Sequence, residues 1–322
     1  MNAGDGTRSA LVTGGAGFIG GHLAERLLAE GWSVRVLDDF SSGRESNLAG
    51  CGGRVDLVRG DVRDPDTLAR ALDGVGVIFH HAAVASVPRS VAEPLLTNSV
   101  NIGGTLMVLE SARAAGVRRV VYAASSSVYG DDRTQPKVES MQATPLSPYA
   151  FQKFAGEEYC RLYHALYGLE TVCLRYFNVY GPRQDPESEY AAVIPRFATA
   201  ALSGTPAEIY GDGEQTRDFV FVGDAVGANL LAADAKAASG RVVNIASGRR
   251  TSLNQLWEEI RDLVGVTLEA RYVAPRPGDV RDSLASVERA GELLGYEPSV
   301  DRREGLRQTI ESFRKTREPE RG

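Results

Sequence analysis

Between an apolar pentapeptide, Ser9 to Thr13, and an amphipathic stretch that runs to Glu30, the chain reads Gly14-Gly15-Ala16-Gly17-Phe18-Ile19-Gly20. Spaced glycines at a strand-to-helix junction meet three needs. Gly14 permits a tight turn, Gly17 lets the backbone approach a phosphate group, and Gly20 lets helix and strand pack closely. In the helix, Ile19, Leu23 and Leu27 fall on one face and Gly31 ends it. Such a turn belongs to a chain that alternates strands and helices. Ser9 to Thr13, Ser33 to Leu37, Val55 to Arg59, Val77 to His81, Val117 to Ala123 and Thr171 to Arg175 read as strands. Phe18 to Glu30, Asp66 to Leu72, Pro94 to Ala115 and Pro148 to Tyr167 read as the helices. This order predicts an α/β fold built on a doubly wound parallel sheet with helices on both faces.

After Arg175 the composition shifts toward Pro, Gly and Arg, with loops at Gly181 to Glu189, Gly211 to Thr216 and Pro275 to Asp282. The expected division is a Rossmann-type domain over 9–175, with a return segment near 219–247. A smaller α/β lobe over 176–218 and 248–315 would hold the substrate. A chain of 322 residues, 43% of them hydrophobic, can form such a two-lobed globule. The last dozen residues, rich in Arg, Lys and Glu, read as a solvated tail.

Charge and cysteine content exclude several functions. With 36 basic and 42 acidic residues the net charge is −6, and no basic block suits nucleic acid. Cys51, Cys160 and Cys173 lie in no C-x-x-C or Cys/His cluster, so no metal site is expected and all three read as buried thiols of a reducing cytoplasm. Met1 to Ser9 lacks the apolar core of a signal peptide, and no run is long enough to span a bilayer, so no membrane partner is expected.

Asp38 closes the second strand, where its carboxylate can accept from both hydroxyls of an adenosine ribose and repel a 2′-phosphate, which favours NAD over NADP. Asp61, with Val62, follows the third strand. It suits either an adenine amine or the N-cap of the next helix. Ala82 and Ala83, after the fourth strand, are small enough for a dinucleotide to lie over them. His80 and His81 read as packing or loop histidines.

Ser147 and Pro148 start a helix that places Tyr149 and Lys153 four residues apart on one face. A phenol titrates near ~10 and is a poor base at neutral pH, but an ammonium one turn away favours its phenolate. Ser125, at the end of the fifth strand, can bind the same substrate oxygen. The three form a candidate catalytic set.

Together, Gly14 to Gly20, Ser125-Ser126-Ser127-Val128-Tyr129-Gly130 and Tyr149-Ala150-Phe151-Gln152-Lys153 resemble the extended short-chain dehydrogenases that modify nucleotide sugars. The likeness continues through Arg175 to Arg183, Arg217-Asp218-Phe219 and Arg276-Pro277-Gly278-Asp279, and is strongest to UDP-hexose 4-epimerases, particularly those taking N-acetylated sugars. It implies that Phe18, Ile19 and Tyr176 join the NAD site. It also implies that Ser86, Ser126, Ser127, Asn178 and Val193 meet the substrate, that Arg217 and Arg276 clamp its diphosphate, and that Asp279 holds a ribose hydroxyl. Dehydratases of this kind carry an Asp-Glu pair after the catalytic Ser, and decarboxylases a Glu at the second position. Ser126 and Ser127 cannot supply that second acid and base, which points to epimerisation at C4 through a 4-keto sugar.

In the same likeness Ser283 replaces a bulky aromatic, which implies room for an acetamido group, and Ser188 to Pro195 resembles the loop of N-acetyl-accepting members. UDP-GlcNAc/UDP-GalNAc and UDP-Glc/UDP-Gal are the expected pairs. Arg89 and Arg196, as possible partners of a carboxylate, keep a UDP-glucuronate 4-epimerase open, and the same resemblance leaves another nucleotide-sugar oxidoreductase or dehydratase as the remaining alternative. Redox-sensing binding modules lack the Tyr and Lys, and an NADPH-consuming ketoreductase conflicts with Asp38. The helices Pro94 to Ala115 and Pro148 to Tyr167 carry enough apolar surface to pair in a two-fold, four-helix homodimer, as the resemblance implies.

Overall fold

The structure, a computed structural model, describes residues 8–186, 192–275 and 281–317, without the side chains of 316 and 317. Its strands in chain order are β1 (Ser9–Thr13), β2 (Ser33–Asp38), β3 (Asp56–Arg59), β4 (Val77–His80), β5 (Arg119–Ser125), β6 (Glu170–Tyr176) and β7 (Asn178–Tyr180). They continue with β8 (Glu208–Tyr210), β9 (Thr216–Arg217), β10 (Phe219–Phe221), β11 (Arg241–Ile245), β12 (Thr251–Ser252) and β13 (Arg271–Val273). Seven of them form one sheet in the order β11-β6-β5-β4-β1-β2-β3, all pairs parallel. Buried on both faces, these strands are near-continuous apolar runs, such as Val34, Val36 and Leu37 in β2 and Val120 to Ala124 in β5. The chain winds outward from β1 in both directions. The order therefore reverses between β1 and β4, and a crevice opens at their carboxyl ends.

The helices are α1 (Phe18–Ala29), α2 (Pro65–Ala71), α3 (Val87–Ala92), α4 (Pro94–Asn98), α5 (Thr105–Ala114), α6 (Pro148–Tyr167), α7 (Val193–Leu202), α8 (Val222–Asp234), α9 (Leu253–Val264), α10 (Glu288–Leu294) and α11 (Arg302–Arg317). Leu23 and Leu27 of α1 share one core with α8 and the β8–β10 region, while Leu68, Leu109 and Cys160 of α2, α5 and α6 fill a second core on the opposite face. In the C-terminal part, β7 pairs with β10, β9 with β12 and β8 with β13, each a two-stranded ladder.

Four expectations need correction. The fifth strand starts later and runs to Ser125 rather than Ala123, because Ala124 and Ser125 continue the register against Arg175 and Tyr176. The expected helix from Pro94 is not regular: α4 passes through a π-helical turn, Ser99–Gly104, before α5. Side-chain bonding holds the distortion, since the Thr105 hydroxyl donates to Asn101 O at 2.6 Å and a Cβ on Gly104 would stand 2.8 Å from Val62 Cγ2. The next helix is capped by Asp64, which accepts from Asp66 N, and not by Asp61. The tail reading fails for its first part, because α11 runs to Arg317 and buries Phe313 in the core; positions 318–322 lie outside the described residues.

Candidate active site

Gly14 sits at φ 68°, and a Cβ there would lie 2.7 Å from Ala82 N, so the turn after β1 is pressed against the segment after β4 at the switch point. Gly20 is held as tightly: a Cβ would stand 2.2 Å from Gly14 O. No side chain caps the N-terminus of α1 and its first turn carries no acid, which leaves a positive helix end facing the crevice. Asp38 is 7% exposed, with Ala16 N donating to one carboxylate oxygen at 2.9 Å and Phe40 N to the other at 2.8 Å. Burial pushes its carboxyl up and the two amide bonds pull it back.

These groups line a cavity of about 690 Å³ together with Gly17, Phe18, Ile19, Asp61, Val62, Ala82, Ala83, Ser86, Ser125, Tyr149, Lys153 and Tyr176. Gly20 lies behind the turn rather than on the wall. Asp61 is held by Arg63, whose side-chain bonds depress its carboxyl below the usual range. A cleft with an uncapped helix end, a glycine cradle and a buried carboxylate has the features that a dinucleotide site needs, and Gly14, Gly17 and Asp38 are the residues that would hold the cofactor.

Tyr149 is half-buried at the start of α6. Its amide donates to Ser90 Oγ at 3.0 Å, and Ser147 caps the helix through Ala150 N at 3.1 Å. Burial raises the phenol, while a hydrogen bond with Ser125 lowers it. Lys153, 4% exposed, donates to Ala123 O at 2.8 Å, and burial lowers it to about 8. The expected direct action of the ammonium on the phenol is thus not what this arrangement displays: Ser125 is the group bonded to the phenol, and Lys153 is anchored on β5 beneath it.

A second cavity, about 380 Å³, shares Ser125, Tyr176 and Phe177 with the first. Ser126, Ser127, Asn178, Arg217 and Ser283 line it, as the sequence suggested. Asn178 donates to Asp218 O at 3.0 Å, and Arg217 to Thr216 O at 2.9 Å. Ser125 therefore stands where a long cleft and a shorter pocket meet.

Val193 lies elsewhere: it opens α7 and packs on the core, on neither wall. Arg196 lies over the Tyr210 ring, 5.5 Å from its centroid, and also lines neither cavity, whereas Arg89 reaches the larger one. Arg276, Asp279 and the loop positions 188–191 lie outside the described residues. His80 bonds Thr13 and Thr105, and His81 bonds Asn229; burial lowers them to about 3 and about 4, so both are neutral near pH 7, His80 packed in the interior and His81 on the wall of the larger cavity.

Sequence reasoning missed several supports. Asn101 clasps Val84 in the cavity wall through both its amide and carbonyl groups, and donates to Gln152 Oε1 at 2.8 Å. Ser41, Ser42 and Gly43 complete the wall beside Asp38, and a Cβ on Gly43 would meet that carboxylate at 2.7 Å. Lys137, 2% exposed, lines the second cavity and is tied to Asp132.

Among the described residues no group of His, Cys, Asp and Glu could hold a metal ion, and no helix is long and apolar enough to cross a membrane. Comparison with known proteins agrees with the geometry. Residues 10–246 match the model of the NAD dependent epimerase/dehydratase family. The chain is 44% identical over 308 residues to a UDP-glucose 4-epimerase of Mycolicibacterium smegmatis, covering 94% of this chain and 98% of that one. It superposes on the UDP-N-acetylglucosamine 4-epimerase of Methanobrevibacter ruminantium, solved with UDP-N-acetylmuramic acid, with TM-score 0.92, 40% identity and coverage of 96% and 99%. The UDP-glucose 4-epimerase of Thermotoga maritima, solved with UDP-glucose, gives TM-score 0.92, 40% identity and coverage of 96% and 100%. With a parallel sheet reversing at a glycine turn, and Ser, Tyr and Lys gathered where two cavities join, the chain belongs to the NAD dependent epimerase/dehydratase family.

Proposed function

We propose that this protein is a UDP-sugar 4-epimerase that acts on UDP-GlcNAc/UDP-GalNAc and on UDP-Glc/UDP-Gal. The observation that carries the reading is Ser125 at the junction of the two cavities, bonded to Tyr149 and followed by Ser126 and Ser127. The named activities of relatives 40% or more identical favour it.

Bound NAD supplies a reversible acceptor for the hydride at sugar C4. Tyr149 takes the proton of the 4-hydroxyl and later returns it, while Ser125 bonds the same oxygen and keeps it in line. Lys153, fixed on Ala123 O, presents a cation to the cofactor side of the site. Asn178 and Arg217 anchor the nucleotide end while the flat 4-keto sugar presents its other face. With Ser126 and Ser127 in place of a second acid and base, the keto sugar would be neither dehydrated nor decarboxylated, and Tyr149 would return the proton to the 4-oxygen.

Ser283 supports the N-acetyl substrate, because a small residue on the second cavity's wall leaves space that a bulky one would fill. Arg89 on the wall of the larger cavity favours a second reading, a uronate carboxylate at C6. The test is incubation of the purified protein with UDP-GlcNAc, UDP-glucose and UDP-glucuronate separately, with products identified by NMR. The proposal expects C4 inversion of the first two; inversion of UDP-glucuronate alone would transfer the assignment to Arg89.

A homodimer is part of the same proposal. Val91, Leu95, Phe151, Leu162, Leu166 and Tyr167 are exposed apolar side chains on α3, α4 and α6, and a two-fold contact would cover them. The three buried free thiols suit a reducing cytoplasm.

A further inference from the structure

One helical turn after Lys153, Glu157 is 2% exposed, and Arg175 of β6 is 4% exposed. The guanidinium makes a two-pronged contact, Nε to Oε1 at 2.8 Å and Nη2 to Oε2 at 2.7 Å. Both carboxylate oxygens accept from the guanidinium, the two-pronged geometry that favours the ionised form of the acid. On its far side Arg175 lies against the Tyr129 ring, 4.9 Å from the centroid, and Tyr129 OH donates to Asn244 at 2.7 Å. The charges are thus fixed in order: Lys153 and Glu157 on one face of α6, then Arg175, then an aromatic wall.

A buried ion pair is a poor stabiliser, since dehydrating two charges offsets most of their attraction. Its orientation suggests another use. We propose that Glu157 and Arg175 are a positioning pair for Lys153, an oriented buried dipole whose negative end, one helical turn from the ammonium, keeps that ammonium charged and seated on Ala123 O during turnover.

The other groups facing Lys153 do not substitute. His80, the last residue of β4, and His81 after it are neutral near pH 7. Tyr122 of β5, whose ring centroid is 5.1 Å from the ammonium, and Tyr149 of α6 are pushed up by burial. Cys173 of β6 is raised by its hydrogen bond with Cys160 and by burial. Of the charges on Lys153, Glu157 is the largest that favours the ammonium, working against burial. Arg175 in turn holds Glu157 ionised where burial pushes its carboxyl up.

The inference rests on the epimerase reading only for its kinetic consequence, and a direct readout exists. Lys137, Lys153, Lys236 and Lys315 are the four lysines of the chain, so carbon-13 labelling at lysine Cε gives few enough signals to assign by substitution. In the full chain with bound NAD, Glu157→Gln is expected to lower the titration midpoint of Lys153, and the alkaline limb of turnover with it, by about one pH unit. Glu157→Asp, which keeps the charge, leaves the midpoint close to that of the native chain. If Glu157→Gln does not fold, the neutral pair Glu157→Gln with Arg175→Met is measured, with a smaller shift in the same direction expected, because the repulsion from Arg175 is removed with the attraction of Glu157. A midpoint that stays in place in the folded variant overturns the proposal and leaves the pair a tie between α6 and β6. If the native chain inverts no sugar, the functional reading fails while the NMR midpoint still decides the role of the pair.

Discussion

Burial and one hydrogen bond govern Tyr149: desolvation raises its phenol, and Ser125 draws it back down. Its role as proton carrier predicts that Tyr149→Phe lowers kcat by about 10²- to 10⁴-fold with little change in melting temperature, as steady-state assays and thermal scans would show. Lys153 gives a pH test with two opposed readouts. Burial brings the folded-state ammonium down to about 8, against a value near ~10.4 in an unfolded chain. Turnover should therefore fall as pH rises through about 8. Between that point and ~10.4 the unfolded chain binds more protons, so the contribution of Lys153 to stability rises with pH over the same window. Comparing the native chain with Lys153→Met by denaturant titration at pH 7 and pH 10 measures this. The native chain should gain stability relative to the variant at the higher pH, and no relative gain would contradict the burial argument.

The elements place these residues, and glycine substitutions separate packing from tolerance. A Cβ at Gly20 meets Gly14 O at 2.2 Å, while one at Gly103 in the π turn meets nothing within 4 Å. Gly20→Ala should cost about 2–3 kcal/mol and loosen NAD, whereas Gly103→Ala should stabilise by about 0.4–1 kcal/mol. Thermal unfolding with and without added NAD reads both. The glycine turn, Asp38 and the pair Tyr149 and Lys153 were legible in sequence because each depends on local spacing: a strand before, a helix after, four residues on one face. What was not legible depends on partners distant in the chain. The π turn needs Gly104 against Val62, and Asn101 shows its purpose only when Val84 and Gln152 are beside it. Asp61 was open between two roles because Asp64, three residues on, satisfies the same capping rule and wins it. The first part of the tail was misread because its charged composition hides Phe313, which continues the buried face of α11 three residues after Ile310.

At the scale of the molecule, two cavities meet at Ser125, and the proposed function assigns a dinucleotide to the larger, a nucleotide sugar to the smaller and the reaction to their junction. The exposed apolar strip on α3, α4 and α6 predicts a dimer in solution. Leu166, 67% exposed, should be a sensitive point: Leu166→Glu should shift the mass measured by light scattering toward the 34.6 kDa monomer. In the proposed reaction proton and hydride would be taken and returned within one site, so turnover would need no free cofactor. The most direct test is to give the purified protein, with no free NAD, UDP-glucose carrying deuterium at C4 and to follow the product by NMR. The account predicts UDP-galactose that keeps deuterium at C4, because the same hydride leaves one face and returns to the other. Deuterium lost to solvent, or no C4-inverted sugar at all, would contradict it.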